Sequence, residues 1–258
     1  MSFSDWLVKK FSKYLLKTSP SHRGYLCDFN HILQEVQMCD VLLIEGRTRV
    51  SDTIRNITQS PWTHAVLYIG HPDEIEDNQL REIAKRQCEK HNTTQLIIET
   101  DIGIGTVLSP IEKYRNDHIR ILRPMGLSKE DAQKVIIFAM RRLGSSYNMR
   151  HIFDLARFLL PWSIFPRRWR SSLFQRNALK PTQEICSSMI ASAFESVNFP
   201  VLPLVREDEK KNLELIHRNP NLYTPSDFDY SPYFAVIKYP IVPYSKDIRW
   251  RKDMFSDE

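Results

Sequence analysis

Apolar and polar positions along the chain predict a series of short strands and a set of longer helices. Short apolar runs closed by turn residues predict strands at residues 39–46, 64–70, 95–100, 106–108 and 119–123, with a late strand at 233–239. Apolar residues at helical spacing predict helices at residues 29–37, 50–58, 75–91, 128–143, 151–160 and 185–197. The polar residues 201–222 are predicted to form a loop or an insertion. Because no internal repeat or low-complexity linker separates these elements, we expect one α+β domain.

Residues 1–18 carry a second kind of pattern, that of an amphipathic helix. One side of this helix is apolar and aromatic, with Phe3, Trp6, Leu7, Phe11, Tyr14 and Leu15. The opposite side carries Lys9, Lys10, Lys13 and Lys17. A basic amphipathic helix of this kind binds an anionic membrane surface. A helix docked on its own domain shows the same stripe, so the sequence leaves both interpretations open.

The chain is predicted to contain three parts. Residues 1–37 are the amphipathic helix and its lead-in, residues 38–240 are the main domain, and residues 241–258 are a polar C-terminal tail. Within the main domain, residues 162–170 combine aromatic and apolar side chains with three arginines. That cluster either docks lipid headgroups or covers an edge of the domain.

The composition excludes several classes of protein. Of 258 residues, 42% are hydrophobic and 26% are charged, which excludes collagen, coiled-coil and disordered chains. The net charge of +5 is mild and suits a membrane surface or an acidic ligand. We expect no nucleic-acid binding, because the positive charge is scattered apart from residues 167–170. With no signal peptide or apolar span, the sequence favours a cytoplasmic protein, either free or peripheral on the inner membrane face.

The cysteines predict neither a disulfide scaffold nor a metal site. None of Cys27, Cys39, Cys88 and Cys186 belongs to a Cys-x-x-Cys pair, and the histidines show no ligand spacing. We therefore expect no metal and no cofactor. Cys186 differs from the others because it opens a predicted helix, where free backbone N–H groups and the helix dipole favour a thiolate. A small residue packed at a helix start would explain the same position.

His64 and Glu99 are candidate partners for this thiol. His64 begins a predicted strand, and a histidine facing a helix N-terminus can act as general base to a cysteine. Glu99 lies in the next predicted strand and could orient the imidazole, with Asp101 as its rival. A half-buried histidine and a carboxylate at a strand end are the plainer interpretations. We also expect Trp62 and Ser187, which lie near these residues in sequence, to contact substrate.

Six segments in order carry a resemblance to a known family. They are residues 40–46, residues 62–70, residues 98–105, residues 143–148, the helix of Cys186, and residues 224–228. Together, over about residues 38–238, they resemble the YiiX/YaeF-like proteins. These are circularly permuted relatives of the NlpC-type cell-wall peptidases in the papain-like superfamily.

The resemblance implies a permuted papain-like α+β fold, with a small antiparallel sheet or barrel packed against helices. His64, Glu99 and Cys186 match the family's His, polar residue and Cys, in that order. Tyr147 matches the tyrosine of the family's Gly-x-Pro-Tyr-Asp motif, and is expected to line the site or support the oxyanion hole. Asn148 stands where that motif has a carboxylate, so no role is carried over for the acid.

The function predicted on this basis is a cysteine-dependent acyl hydrolase of the amidase or peptidase type. A Cys–His–Glu triad would act through a thioester, on a small-molecule, peptide or lipid acyl substrate. Two alternatives stay open. One is a lipid-directed acyl hydrolase or acyltransferase at a membrane surface, and the other is a non-catalytic lipid- or peptide-binding module on the same fold.

Overall fold

The structure is a computed structural model, and it describes residue 17 and residues 27–101, 104–145, 186–207, 213–216 and 218–237. The predicted helix at 1–18, apart from residue 17, lies outside these residues. So do the predicted helix at 151–160, the cluster at 162–170 and the C-terminal tail.

Eight strands and six helices are present in the described part of the chain. The strands are β1 (Val41–Glu45), β2 (His64–Gly70), β3 (Leu96–Asp101), β4 (Gly105–Pro110), β5 (His118–Pro124), β6 (Leu204–Glu207), β7 (Leu213–Ile216) and β8 (Phe234–Ile237). The helices are α1 (Phe29–Glu35), α2 (Arg49–Thr58), α3 (Asn78–His91), α4 (Lys129–Met140), α5 (Cys186–Glu195) and α6 (Pro225–Asp229). Short 3₁₀ turns occur at Pro72–Glu74, Ile111–Tyr114 and Pro220–Leu222.

Six of the strands form one antiparallel sheet in the order β4-β3-β2-β1-β5-β8. The sheet is open, because β4 and β8 lie at its two ends. The mixed α+β architecture and the antiparallel sheet agree with the sequence prediction, and the described strands do not close into a barrel.

Both faces of the central strands are covered, which explains their continuous apolar runs. On one face, Val41, Leu43, Ala65 and Leu67 pack with residues of α4 and α5. On the other face, Leu42, Ile44, Val66 and Tyr68 pack with residues of α1. A strand buried on both faces shows no alternation of apolar and polar side chains.

The predicted loop at residues 201–222 is wrong in part, since β6 and β7 form a two-stranded hairpin there. Its apolar residues Leu204 and Val205 are 54% and 63% exposed. Strand β6 therefore pairs with β7 without burying these two apolar side chains, and burial-based patterning does not mark it. The short helix α6 was also missed, although Thr224 and Asp227 form a capping box with Pro225 in the first turn.

Candidate active site at the start of helix α5

Strands β2 and β3 bring His64 and Glu99 together. The register pairs Leu67 with Ile98, and side chains alternate along each strand, so His64 and Glu99 lie on the same face of the sheet. His64 Nε2 is 2.9 Å from Glu99 Oε2. The rival carboxylate, Asp101, accepts a hydrogen bond from Lys113 Nζ at 2.9 Å. Glu99 is therefore the carboxylate that is hydrogen-bonded to His64 Nε2.

Cys186 is the first residue of α5, and α5 packs against β2. A hydrogen bond joins the Cys186 sulfur to the His64 ring. Because Nε2 of His64 is engaged with Glu99, Nδ1 is the ring nitrogen available to the sulfur. One imidazole therefore connects a thiol at a helix start with a buried carboxylate.

Two backbone amides also point at the sulfur. The N–H groups of Ala65 and Ser187 donate to Cys186. Free N–H groups in the first turn of a helix stabilise negative charge, whether on a thiolate or on the oxyanion of a tetrahedral intermediate. The thiol at the start of α5 therefore lies beside two backbone donors, one from α5 and one from β2.

The electrostatics of the pair favour charge separation. Burial raises the pKa of the Cys186 thiol, but the charge and hydrogen bond of His64 and the two backbone N–H groups outweigh it, so the pKa lies below its ordinary value. Burial lowers the pKa of His64, whereas the charge of Cys186 and the hydrogen bonds to Cys186 and Glu99 raise it to about 10. The two shifts describe one coupled event, a thiolate beside an imidazolium.

Glu99 is fully buried and has three hydrogen-bond donors around it. Besides His64, Lys113 Nζ lies 2.6 Å from Oε1, and the Tyr114 hydroxyl donates to Oε2 at 2.5 Å. Burial raises the pKa of this carboxyl, and the hydrogen bond and charge of His64 together with Lys113 reverse that effect and hold it well below its usual range. Glu99 is thus an ionised partner for the imidazole at neutral pH.

Sequence reasoning missed Lys113 and Tyr114. Both belong to the 3₁₀ turn that follows β4, which lies beside β3 in the sheet. No motif or hydrophobic period marks the two residues, because their contact with Glu99 depends on how the β3–β4 hairpin folds back.

Ser187 lies at the site, but its side chain is not placed to bind substrate. The Ser187 hydroxyl is buried and donates to the carbonyl of Tyr223. Only its backbone N–H reaches the Cys186 sulfur.

The structure places Trp62 in the core, and its contact with substrate stays a prediction. Trp62 is only 2% exposed and does not line the described cleft beside Cys186. Its Nε1 donates to Asp229 Oδ2 at 3.0 Å, and the Arg120 guanidinium lies 4.7 Å from its ring centre. Trp62 precedes β2 and packs in the core cluster that also contains residues of α4 and α5. Tyr147 lies outside the described residues.

A cleft of about 380 Å³ opens at Cys186 and His64. Its apolar lining residues are Ile44, Val50, Ile54 and Ile104. Its charged lining residues, apart from the pair itself, are Arg47, Asp101, Lys113 and Asp117. A volume of this size is in the range of small-molecule and peptide side-chain pockets.

The donor set at the site does not suit a metal ion. Within the described residues, no group of three or more His, Cys, Asp and Glu side chains is arranged to hold one. Both oxygens of Glu99 already accept hydrogen bonds from protein donors. We derive no step through a metal. In the same described part of the chain, no helix is long and apolar enough to cross a membrane.

No protein-family profile matches the chain, and no curated protein matches it in sequence. Among solved structures, the protein is similar to the crystal structure of YiiX from Escherichia coli O157:H7, which is described as a metalloprotein and as DUF1105. The TM-score is 0.47 and the identity 13%, over 78% of this chain and 96% of that one.

Proposed function

We propose that the protein is a cysteine-dependent acyl hydrolase or acyltransferase with Cys186 as nucleophile, His64 as general base and acid, and Glu99 as the residue that orients His64. One observation carries the proposal: the His64 ring is hydrogen-bonded both to Cys186 and to the buried Glu99. The amidase or peptidase type and the permuted papain-like topology are part of this proposal, from the resemblance described above.

The chemistry follows from these positions. The Cys186 thiolate attacks a carbonyl carbon, and the N–H groups of Ala65 and Ser187 are the available donors for the resulting oxyanion. His64 then gives its proton to the leaving amine or alcohol, and a thioester to Cys186 remains. Water or another acceptor, deprotonated by His64, attacks the thioester, releases the acyl group and restores the thiol.

The pH dependence of Cys186 alkylation by iodoacetamide tests this proposal directly, with peptide mass spectrometry to follow each cysteine. Cys88 is the matched control, because it is half-buried and burial raises its pKa. An ordinary thiol loses about tenfold in rate for each pH unit below its pKa of about 8.5. We expect the alkylation rate of Cys186 to fall less steeply than the rate of Cys88 as the pH is lowered from 8.

His64→Ala completes the test. Without the imidazole, the Cys186 thiolate loses its cation and a hydrogen bond, so its alkylation should regain the steep profile of an ordinary thiol. A Cys186 profile that matches that of Cys88 in the wild type, or that does not change in His64→Ala, would overturn the proposal. The protein would then be better explained as a binding module, and Cys186→Ala would leave its ligand affinity unchanged.

A further inference from the structure

Apolar side chains from two parts of the chain line the described wall of the cleft beside Cys186, among polar ones such as Thr63 and Thr100. Val50 and Ile54 stand one turn apart on α2, which begins at a Thr48 cap whose side chain accepts from the Ser51 N–H. Ile104, directly before β4, also lines the cleft and is 67% exposed. A large aliphatic side chain left this exposed at the rim of a cleft gains free energy when a ligand covers it.

The two long basic side chains in the cleft are already neutralised. Arg47 Nε lies 2.6 Å from Asp117 Oδ1. Lys113 Nζ lies 2.6 Å from Glu99 and 2.9 Å from Asp101. A negatively charged ligand would have to compete with these carboxylates for Arg47 and Lys113. It would also be repelled by the carboxylates at close range.

We propose that this wall is an acyl subsite for an uncharged, apolar group. In the bound ligand, the carbonyl carbon of the acyl group lies beside the Cys186 sulfur, and the hydrocarbon part of the acyl group lies against Val50, Ile54 and Ile104. The inference rests on the proposed function and adds the chemical class of the acyl group. A fatty-acyl chain and an apolar amino-acid side chain share this chemistry.

Acylation by p-nitrophenyl esters measures this preference without knowledge of the natural substrate. The thiolate attacks the ester carbonyl, an S–C bond forms, the C–O bond to the aryl group breaks, and p-nitrophenolate is released. Each rate is divided by the rate of the same ester with free cysteine, which removes intrinsic reactivity. We expect the hexanoate to exceed the acetate by about tenfold, because burial of each CH₂ contributes up to about a fourfold factor.

A charged probe of matched length tests the second half of the inference. The mono-p-nitrophenyl ester of succinate has the length of the butyrate ester and ends in a carboxylate. We expect it to acylate Cys186 about tenfold or more slowly than the butyrate, relative to free cysteine.

Variants of the wall identify the subsite. Ile104→Ser removes an exposed side chain, so the fold should be retained, and we expect the hexanoate-to-acetate ratio to fall about threefold. Ile54→Ser on α2 should have the same effect. Ile83→Ser on α3 is the control, since Ile83 is 40% exposed and does not line the cleft. In Ile83→Ser, both the hexanoate-to-acetate ratio and the iodoacetamide alkylation of Cys186 should be unchanged.

The outcomes separate this inference from the proposed function. If Cys186 is an activated thiol but reacts equally with hexanoate and acetate, or equally with succinate and butyrate, the subsite is overturned and the nucleophile stands. If Cys186 is neither activated nor acylated, both fail. If the subsite is supported, the p-nitrophenyl esters of octanoate and of N-acetyl-leucine distinguish a fatty-acyl chain from an apolar amino-acid side chain. Faster acylation by either ester, relative to the acetate, supports an apolar acyl group.

Discussion

His64 Nε2 and Glu99 Oε2 lie 2.9 Å apart, and the Glu99 side chain has no exposed surface. This contact joins two strands and sets the orientation of the imidazole toward Cys186. A buried carboxylate is costly unless it is paired, and His64, Lys113 and Tyr114 provide the donors that stabilise Glu99 in its ionised form.

Glu99→Gln is expected to weaken the nucleophile. The amide retains the shape of the carboxylate but loses its charge, so the pKa of His64 falls and the pKa of Cys186 rises. We expect the midpoint of Cys186 alkylation by iodoacetamide to move up by about one pH unit or more. Asp101→Asn is the control, because it removes a neighbouring charge and leaves the His64–Glu99 hydrogen bond in place. An equal shift in both variants would argue against an orienting role for Glu99.

Acid should reduce the stabilisation that Glu99 provides. The pKa of Glu99 is lower in the folded protein than its ordinary value of about 4.3, so its contribution is complete above that pH. The contribution is lost as the pH falls through the folded-state pKa. The difference in free energy of unfolding between wild type and Glu99→Gln should therefore be largest near neutral pH and shrink below about pH 4. Urea denaturation at pH 7 and pH 3 measures this difference in unfolding free energy. The same difference at both pH values would contradict a lowered pKa of Glu99 in the folded protein.

Tyr114→Phe should destabilise the protein and leave the thiol activated. The hydroxyl donates to Glu99 Oε2 at 2.5 Å, and loss of a hydrogen bond to a buried charge costs about 1–3 kcal/mol. Because His64 keeps its carboxylate, the alkylation midpoint of Cys186 should not rise. Tyr230→Phe is the matched control, since Tyr230 is 72% exposed. If chemical denaturation gives the same free energy of unfolding for both variants, the contact of Tyr114 with Glu99 contributes nothing to stability.

Trp62→Phe tests whether Trp62 is structural. The variant loses the hydrogen bond from Nε1 to Asp229 and part of the contact with Arg120, at a cost of about 1–3 kcal/mol in unfolding free energy. Acylation of Cys186 by p-nitrophenyl acetate should stay within about twofold of the wild type, because the indole does not line the described cleft. Unchanged stability with a large loss of acylation would instead place Trp62 in the substrate site.

Gly46 is required where the end of β1 approaches α2. A Cβ atom at this position would lie 2.3 Å from Ser51 Oγ and 2.9 Å from Thr63 Oγ1. Gly46→Ala should therefore cost about 1–3 kcal/mol in free energy of unfolding through overpacking. Adding Ser51→Ala removes the closest atom, so the double variant should recover part of the loss relative to Ser51→Ala alone. A simple sum of the two single effects in thermal denaturation would refute the clash.

Local pattern determined most of the elements but not all of them. The strands of the sheet and the helices α1 to α5 follow apolar runs, helical spacing and caps that lie within a few residues of one another. In the hairpin of β6 and β7, the apolar residues Leu204, Val205 and Ile216 are exposed. A hydrophobic pattern reflects which side chains are buried, so it does not predict an element whose apolar side chains are exposed.

The sequence by itself determined which side chains could carry chemistry, namely a cysteine at a helix start, a histidine at a strand start and a carboxylate in a neighbouring strand. Only the tertiary structure decided that Glu99 holds the ring, that Lys113 and Tyr114 surround Glu99, and that Trp62 packs in the core. The reason is that hydrogen bonds between strands depend on register and on how hairpins fold back. Those are set by packing of the whole sheet and not by neighbouring residues.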